Sequence, residues 1–351
     1  MGHGQGNIRF SPQYIFYYQM YFDWNGHYCG SIGNRGNGPF EEPEGISQII
    51  YIDNHFYSKG TKFIEYDNAG TPTGKVKKLH TPLTPNSNDL KDGEFLFGGM
   101  NFSLVGDNFV IYDYPSILYL FDRNFETLYL KVVTEADSLP AWTQPIGDSK
   151  CITYYKDKAV FYNFMNDTVF YITDKGLIPQ YEICFEDNLK LSTHTQLNYM
   201  KLIAECLKAM NRGNSVENTE LVRQTKNKHK VTAVYETESY LFFCMTEIIP
   251  FAKPRNKLPG EPYIIYFNKK DGKTTRINKG FVDDLLGMDY FFPRNGIYNE
   301  KLITYLWPHE LFDYIEECKD KGDIVNPQLL ALSRTLDSEA NPVLILVHLK
   351  K

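Results

Sequence analysis

Residues 63–70 read Phe63-Ile64-Glu65-Tyr66-Asp67-Asn68-Ala69-Gly70: a run of mainly aromatic and β-branched residues ends in Asp, and a Gly follows three positions later. Similar phrases occur at 21–26, 169–176 and 264–272, and a copy without the Gly occurs at 118–122. A phrase that returns at a regular distance is typical of repeat architectures. The recurrence therefore predicts a fold built from several copies of one structural unit.

The Asp or Asn that closes each run marks the length of the unit. These markers stand at positions 23, 67, 122, 174 and 268. The last step is nearly twice as long as the others, and it contains an insertion, 187–229, with apolar residues at helical spacing near 190–212. A final apolar run at 342–349 adds a sixth unit when the helical stretch 308–332 is counted as a second insertion. The spacing thus predicts six units and two helical insertions.

Each unit contains four short β-rich runs. In the third unit they lie at 101–105, 108–113, 117–122 and 126–133, with Gly, Asp, Asn or Pro between them. Four-stranded antiparallel sheets in radial repetition are the blades of a propeller. We therefore predict an all-β protein, a six-bladed β-propeller of four-stranded antiparallel blades. The closing Asp and Gly residues are expected to form turns, because they lack the alternating carboxylates of a calcium loop.

The repeat also predicts the domain organisation. All of 1–351 is expected to form a single propeller domain, with the insertion 187–229 between blades four and five. About fourteen residues precede the strand of the first marker, which are few for two further strands. We therefore expect the first blade to be incomplete at the N-terminus and the natural N-terminus to be missing.

Composition excludes several classes of protein. A net charge of -6, from 37 basic and 43 acidic residues, offers no electrostatic footprint for nucleic acid. We find no apolar run long enough for a membrane span and no signal peptide in this sequence. The six cysteines form no Cys-x-x-Cys pair and no two histidines stand at metal-ligand spacing. The sequence accordingly predicts no metal, no cofactor and no catalytic residue.

Several local patterns resemble functional sites, and each has a simpler interpretation. The Gly-rich stretch 33–38 lacks the Gly-Lys-Ser/Thr and the following helix of a phosphate loop, so we interpret it as a connection between blades. The adjacent pairs Glu41/Glu42, Asp283/Asp284 and Glu316/Glu317 are expected to be solvated charges. Residues 309–313 begin like a zinc-protease helix but have Asp at the position of the second His, which indicates an ordinary helix.

Two tryptophans are weak candidates for ligand contacts. Trp142 lies between Pro140 and Pro145, and Trp307 lies beside Pro308. Burial in the protein core is the simpler interpretation of each side chain.

The chain resembles a known group of proteins. Residues 22–26 followed by the Gly-rich 32–39, the hairpin 166–181 and the final strand 341–347 are similar to motifs of bacterial TolB-like, NHL-like six-bladed β-propellers. One departure is that Gly38-Pro39 continues into Phe40-Glu41-Glu42, where the family usually continues with a second Gly. The resemblance implies a largely uncharacterised family, often of lipoproteins, and a periplasmic or cell-surface location.

The sequence favours a binding function over catalysis. The leading hypothesis is a non-enzymatic propeller that binds a protein or glycan ligand, as a monomer. The alternative is a propeller enzyme of the lactonase or lyase type, with a metal site on the central axis built from side chains that are distant in sequence.

Overall fold

The structure is a computed structural model, which describes residues 8–42, 45–46, 48–59, 62–78, 101–113, 117–124, 126–132, 152–156, 158–162, 167–184, 201–202, 205–206, 208–209, 211–213, 219–248, 263–278, 281, 296–298, 300–337 and 342–348. By its internal contacts the chain divides into two compact units. The first unit comprises Met1–Pro145 and Thr173–Gly176, and the second comprises Ile146–Ile172 and Leu177–Lys351.

Six antiparallel sheets follow one another along the chain, and in each sheet the strands pair in sequence order. The first three sheets consist of β1 (Ile8–Phe10), β2 (Ile15–Tyr17), β3 (Met20–Phe22) and β4 (Tyr28–Ser31); β7 (Gln48–Ile52), β8 (His55–Lys59), β9 (Lys62–Tyr66) and β10 (Pro72–Lys78); and β11 (Asn101–Val105), β12 (Asn108–Asp113), β13 (Ile117–Phe121) and β14 (Thr127–Val132).

The remaining three sheets consist of β15 (Ile152–Tyr155), β16 (Lys158–Phe161), β17 (Thr168–Thr173) and β18 (Gly176–Glu182); β19 (His229–Glu236), β20 (Tyr240–Glu247), β21 (Tyr263–Asn268) and β22 (Thr274–Ile277); and β23 (Gly296–Tyr298), β24 (Lys301–Leu306) and β25 (Val343–His348). A short parallel pair, β5 (Asn34–Arg35) and β6 (Glu41–Glu42), lies between the first and second sheets.

These sheets are the blades of a six-bladed β-propeller, which confirms the predicted fold class. The expectation of an incomplete first blade is wrong, because β1 to β4 form a four-stranded sheet. Its first two strands are only three residues long, so four strands fit into fewer residues than the other units use. In the sixth sheet, by contrast, the described residues supply three strands.

The recurring Asp forms the predicted turn between the third and fourth strands of a sheet. One carboxylate oxygen of Asp67 accepts hydrogen bonds from the backbone N–H groups of Ala69 (2.9 Å) and Thr71 (2.8 Å). Asp23 and Asp122 accept bonds from the same relative positions. Gly70 has φ +79°, a left-handed conformation in which a side chain is strained. The phrase is therefore turn chemistry, as the sequence predicts.

Burial of both faces explains why the runs before the markers are apolar throughout. Leu118, Tyr119, Leu120 and Phe121 of β13 are all at most 1% exposed, although their side chains alternate between the two faces of the sheet. Within the first unit, side chains of the second and third sheets share one apolar cluster, formed by Tyr57, Phe63, Phe109, Ile111, Tyr119 and Phe121. Face-to-face packing of neighbouring blades thus removes both faces from water.

Among the described residues, the helices whose two ends are both defined are α1 (Glu220–Thr225), α2 (Pro308–Lys321) and α3 (Pro327–Ser333). The bounds of α2 match the prediction. Pro308 occupies the first helical position, Glu310 accepts a hydrogen bond from the Trp307 N–H at 3.0 Å, and Gly322 ends the helix with φ +75°. In the other insertion, residues 201–202, 205–206, 208–209 and 211 are helical, and the remainder of the predicted helix near 190–212 lies outside the described residues apart from the turn at 212.

None of the helices in the described part of the chain combines the length and the apolar character that crossing a membrane requires.

Candidate functional site

A Gly-rich loop, residues 33–42, connects the first sheet to the second. Its two ends pair as the parallel strands β5 and β6, so the chain between them forms a closed turn. Two backbone hydrogen bonds tighten this turn: the Gly36 N–H donates to the Glu42 carbonyl, and the Glu41 N–H donates to the Gly38 carbonyl, both at 3.2 Å. The interpretation of this stretch as a connection between blades is confirmed.

Charged side chains hold the Gly-rich loop from both sides. The Glu41 carboxylate accepts the Gly38 N–H at 2.8 Å, and the fully buried Glu42 carboxylate accepts the Lys62 N–H of β9 at 3.0 Å. The Lys62 ammonium donates to the carbonyls of Gly38 and Glu41, each at 2.9 Å. Because hydrogen bonds to charged groups are stronger than neutral ones, these contacts fix the loop on the second sheet.

Glycine is required where the loop leaves the first sheet. Gly33 has φ +70°, and a Cβ at this position would overlap the Ile46 side chain and lie 2.7 Å from the Tyr66 hydroxyl oxygen. Gly36 is crowded in a different way, since a Cβ there would overlap the Glu41 carboxylate. The loop can therefore pack closely on Tyr66 of the second sheet only because position 33 has no side chain, and it can fold back on Glu41 only because position 36 has none.

A cavity of about 380 Å³ lies between this loop and the two sheets that it joins. Its size is in the range of small-molecule sites, about 300–1,000 Å³. The lining residues are Ser31 of β4; Gly33, Asn34, Gly38, Pro39, Phe40 and Glu41 of the loop; and Tyr66, Gly70 and Pro72 of the second sheet. All of them belong to the first compact unit.

The lining combines apolar surfaces with a few polar groups. Pro39, Phe40 and Pro72 supply the apolar part, and the hydroxyl of Ser31 and the side chain of Asn34 supply neutral polar groups. The Ser31 hydroxyl is hydrogen bonded to the exposed Tyr28 at 2.9 Å. Among the lining residues, Glu41 is the one side chain that is charged at neutral pH.

Tyr66 closes the floor of the cavity. Its side chain is 1% exposed, and its hydroxyl accepts a long hydrogen bond of 3.4 Å from Ser58. Burial raises the pKa of Tyr66, so the hydroxyl is neutral at physiological pH. Tyr66 thus contributes an apolar ring and an uncharged hydroxyl to the lining of the cavity.

A second polar group of residues, the Glu236 cluster, lies in the second unit and consists of Tyr171, Tyr181, Glu236 and Lys269. The Glu236 carboxylate is 1% exposed and accepts hydrogen bonds from the hydroxyls of Tyr171 (2.9 and 3.0 Å) and Tyr181 (2.8 Å). The Lys269 ammonium donates to it at 2.6 Å and also to the Thr237 carbonyl at 2.7 Å. This carboxylate is fully paired, so the cluster joins the fourth and fifth sheets as a structural contact.

The pKa values of the two tyrosines reflect that environment. Burial, together with the hydrogen bond to the Glu236 carboxylate, raises the pKa of Tyr181 to about 12. The same two causes raise the pKa of Tyr171 well above its ordinary value. Ionisation of either hydroxyl would place a second negative charge beside a buried carboxylate, which is strongly unfavourable.

Of the two tryptophans that the sequence offers as candidates, the structure describes Trp307. Trp307 is half-buried at the start of α2, where its ring stacks on His309 with centres 6.3 Å apart. It does not line the cavity, and a ligand contact there stays a prediction. Trp142 lies outside the described residues.

The paired carboxylates behave differently from one another. Glu316 and Glu317 are exposed, and Glu317 pairs with Lys321 at 2.6 Å, as expected for solvated charges. The expectation is wrong for Glu41 and Glu42, because the Gly-rich loop folds back onto the second sheet and buries the Glu42 carboxylate completely. Alternation along β6 then directs the Glu41 side chain to the other face, into the cavity. Asp283 and Asp284 lie outside the described residues.

The alternative of a metal-assisted enzyme receives no support from the part of the chain that the structure describes. Within those residues, no three His, Cys, Asp or Glu side chains approach closely enough to hold a metal ion together.

Comparison with known proteins agrees with the fold. The chain is similar to a protein from Bacteroides fragilis that is described as exported, with 17% identity, coverage of 99% of this chain and 90% of the other, and a TM-score of 0.61. The WD40 domain of Pan2 from Neurospora crassa (9% identity, 77% and 64% coverage, TM-score 0.39) and BamB from Moraxella catarrhalis (10%, 78% and 61%, 0.34) are too dissimilar for any inference. No curated protein matches the chain.

Fold and comparison together define the class of protein, a six-bladed β-propeller. Residues 7–348 match the family model described as a domain of unknown function, DUF4934. The chain belongs to this family.

Proposed function

We propose that this protein is a non-enzymatic, ligand-binding β-propeller, and that the ligand occupies the cavity between the Gly-rich loop and the first two sheets. The observation that carries the proposal is the cavity itself, which has the volume of a small-molecule site and a lining that mixes apolar surface with a few polar groups. A small molecule would fit, and so would a side chain or a sugar unit that protrudes from a larger partner.

The rigidity of the loop supports the proposal. Binding sites on loops are most effective when the loop is already ordered, because less conformational entropy is lost on binding. Here Glu41, Glu42 and Lys62 hold the loop through four charge-assisted hydrogen bonds of 2.8–3.0 Å. The lining groups are therefore held in place before a ligand arrives.

A screen for binding tests the proposal. The protein would be screened against small neutral, acidic and basic fragments and sugars by a thermal-shift assay, and hits would be measured by calorimetry. A ligand at 100 times its Kd adds about 2.7 kcal/mol of stability, which such an assay detects.

Two variants assign any hit to the cavity. In Ser31→Trp an indole replaces a small, exposed lining residue of β4, and ligands of the cavity should bind much more weakly. Val76→Trp adds the same indole at an exposed position of β10 outside the lining, and it should leave binding unchanged. Hits that bind both variants like the wild type, or the absence of any hit, would reject the cavity as the binding site.

Location outside the cytoplasm is a further part of the proposal. It is supported by the resemblance to exported propellers and by the Bacteroides fragilis relative that is described as exported. Fractionation of cells that express the natural gene, with immunoblotting of each fraction, tests it. Detection in the cytoplasmic fraction alone would reject export.

A further inference from the structure

The electrostatics of the cavity indicate what it can bind. Glu41 is the one lining side chain with a charge at neutral pH, and it is half-buried beside Phe40 and Pro39. The nearby Lys62 ammonium donates its hydrogen bonds to the backbone carbonyls of Gly38, Pro39 and Glu41, so among the described residues the Glu41 carboxylate has no direct ion pair. The cavity therefore presents one carboxylate, without a direct ion pair, close to apolar surface.

The Glu41 carboxylate also retains acceptor capacity. Two carboxylate oxygens offer about four lone-pair positions. Among the described residues, one donor uses them, the Gly38 N–H at 2.8 Å from Oε2. A half-buried carboxylate with few donors is stabilised when a ligand brings further N–H groups and, better still, a positive charge.

We propose that the cavity binds an organic cation, an ammonium or guanidinium group, with Glu41 as its counter-ion. The inference rests on the proposed function and names the ligand class for the same site. The half-buried ring of Phe40 offers apolar and cation–π contacts to such a head group, and Pro39 and Pro72 can cover its methylene stem. A phosphate or carboxylate ligand would be repelled by Glu41 instead.

The cation could belong to a free amine or to a Lys or Arg side chain of a peptide. Two probes separate these sources: agmatine, a free amine with a guanidinium group, and the blocked tripeptide acetyl-Gly-Arg-Gly-amide. The same tripeptide with citrulline in place of arginine is a neutral control of nearly identical shape. Calorimetry at low salt measures all three, because salt screens a charged contact.

A conservative variant isolates the charge. In Glu41→Gln the amide oxygen can still accept the Gly38 N–H, so the Gly-rich loop keeps its hydrogen bond while the negative charge is lost. We expect cationic probes to bind this variant about 10- to 100-fold more weakly, the range for loss of a charged hydrogen-bond partner. Glu126→Gln removes an equal charge from an exposed position in the same unit and should leave affinity unchanged.

The outcomes separate this inference from the proposed function. If the affinity for agmatine or for the arginine peptide falls in both Glu41→Gln and Ser31→Trp, the result supports the charge inference and the proposed function together. If the affinity falls in Ser31→Trp but not in Glu41→Gln, the charge inference is overturned and the cavity remains the binding site. Equal affinities for the arginine and citrulline peptides would have the same meaning. If neither cationic probe binds, the inference is overturned, and the neutral fragments of the screen then decide the proposed function.

Discussion

Replacement of Lys269 by methionine should destabilise the protein far more than the loss of a surface lysine. The Lys269 ammonium lies 2.6 Å from the Glu236 carboxylate, and Lys269 and Glu236 are 21% and 1% exposed. Methionine keeps a long apolar side chain beside the ring of Tyr155, whose centre lies 4.7 Å from the ammonium. The substitution thus removes the positive charge and little of the packing.

The magnitude follows from what remains around the carboxylate. Removing one partner of a buried ion pair costs about 3–5 kcal/mol, because the other charge stays buried without compensation. Two effects reduce this cost here. The hydroxyls of Tyr171 and Tyr181 still donate to Glu236, and water reaches the partly exposed position of Lys269. We therefore expect a loss near the lower end, about 3 kcal/mol.

Two further variants make the reasoning testable. Adding Glu236→Gln to Lys269→Met removes the stranded charge while leaving an amide oxygen for the tyrosines, and the double variant should lose only about 1 kcal/mol. Lys321→Met breaks the pair with Glu317, in which both side chains are exposed, and should change stability little, because water screens an exposed pair.

Urea unfolding at neutral pH, followed by tryptophan fluorescence, measures all of these stabilities. The reasoning is refuted if Lys269→Met costs no more than Lys321→Met, or if the double variant is at least as unstable as the single one. Either result would mean that Glu236 does not depend on its buried partner.

Further predictions concern pH and backbone conformation. Burial and the Glu236 carboxylate raise the pKa of Tyr181 from 10.0 to about 12. The neutral Tyr181 hydroxyl therefore contributes fully to the free energy of unfolding below pH 10, and this contribution is lost as the pH rises through 12. The melting temperature should fall over this range, and Tyr181→Phe should make the fall smaller; an unchanged slope would contradict the assignment. Gly26→Ala places a Cβ in open space at φ +85°, so strain alone should cost about 1–2 kcal/mol in urea unfolding. Gly33→Ala has a similar positive φ, and its Cβ would also overlap Tyr66, so it should destabilise the protein by at least about 1 kcal/mol more than Gly26→Ala. Equal losses of stability in the two variants would show that the loop does not pack tightly on Tyr66.

The repeat was predictable because its signals are local. An Asp carboxylate that binds N–H groups two and four residues later needs no distant partner, and neither does a Gly at positive φ. The same holds for α2, whose Pro308 and Gly322 mark its two ends. For this reason the sequence predicted strands of the third sheet to within a residue or two, and predicted α2 with its observed bounds.

The candidate site depends on contacts that no local pattern contains. Glu41 and Glu42 are adjacent acidic residues in a Gly-rich stretch, and such residues are usually solvated. Their different environments arise because Lys62, twenty residues later, binds the loop from the second sheet. One signal was present in the sequence: the glycines at 33, 36 and 38, a few residues before a carboxylate pair, indicate a backbone that approaches another surface closely.

The sequence by itself determined the class of fold, the number of blades, the turns between strands and the position of a helical insertion, because each follows from spacing and turn chemistry within a few residues. The tertiary structure alone decided that the first sheet has four strands, that Glu42 is buried while Glu41 faces a cavity, and that Glu236 meets Tyr171, Tyr181 and Lys269. These features join residues from different strands and sheets. Their energies come from burial and charge pairing between segments that only the packed chain brings together.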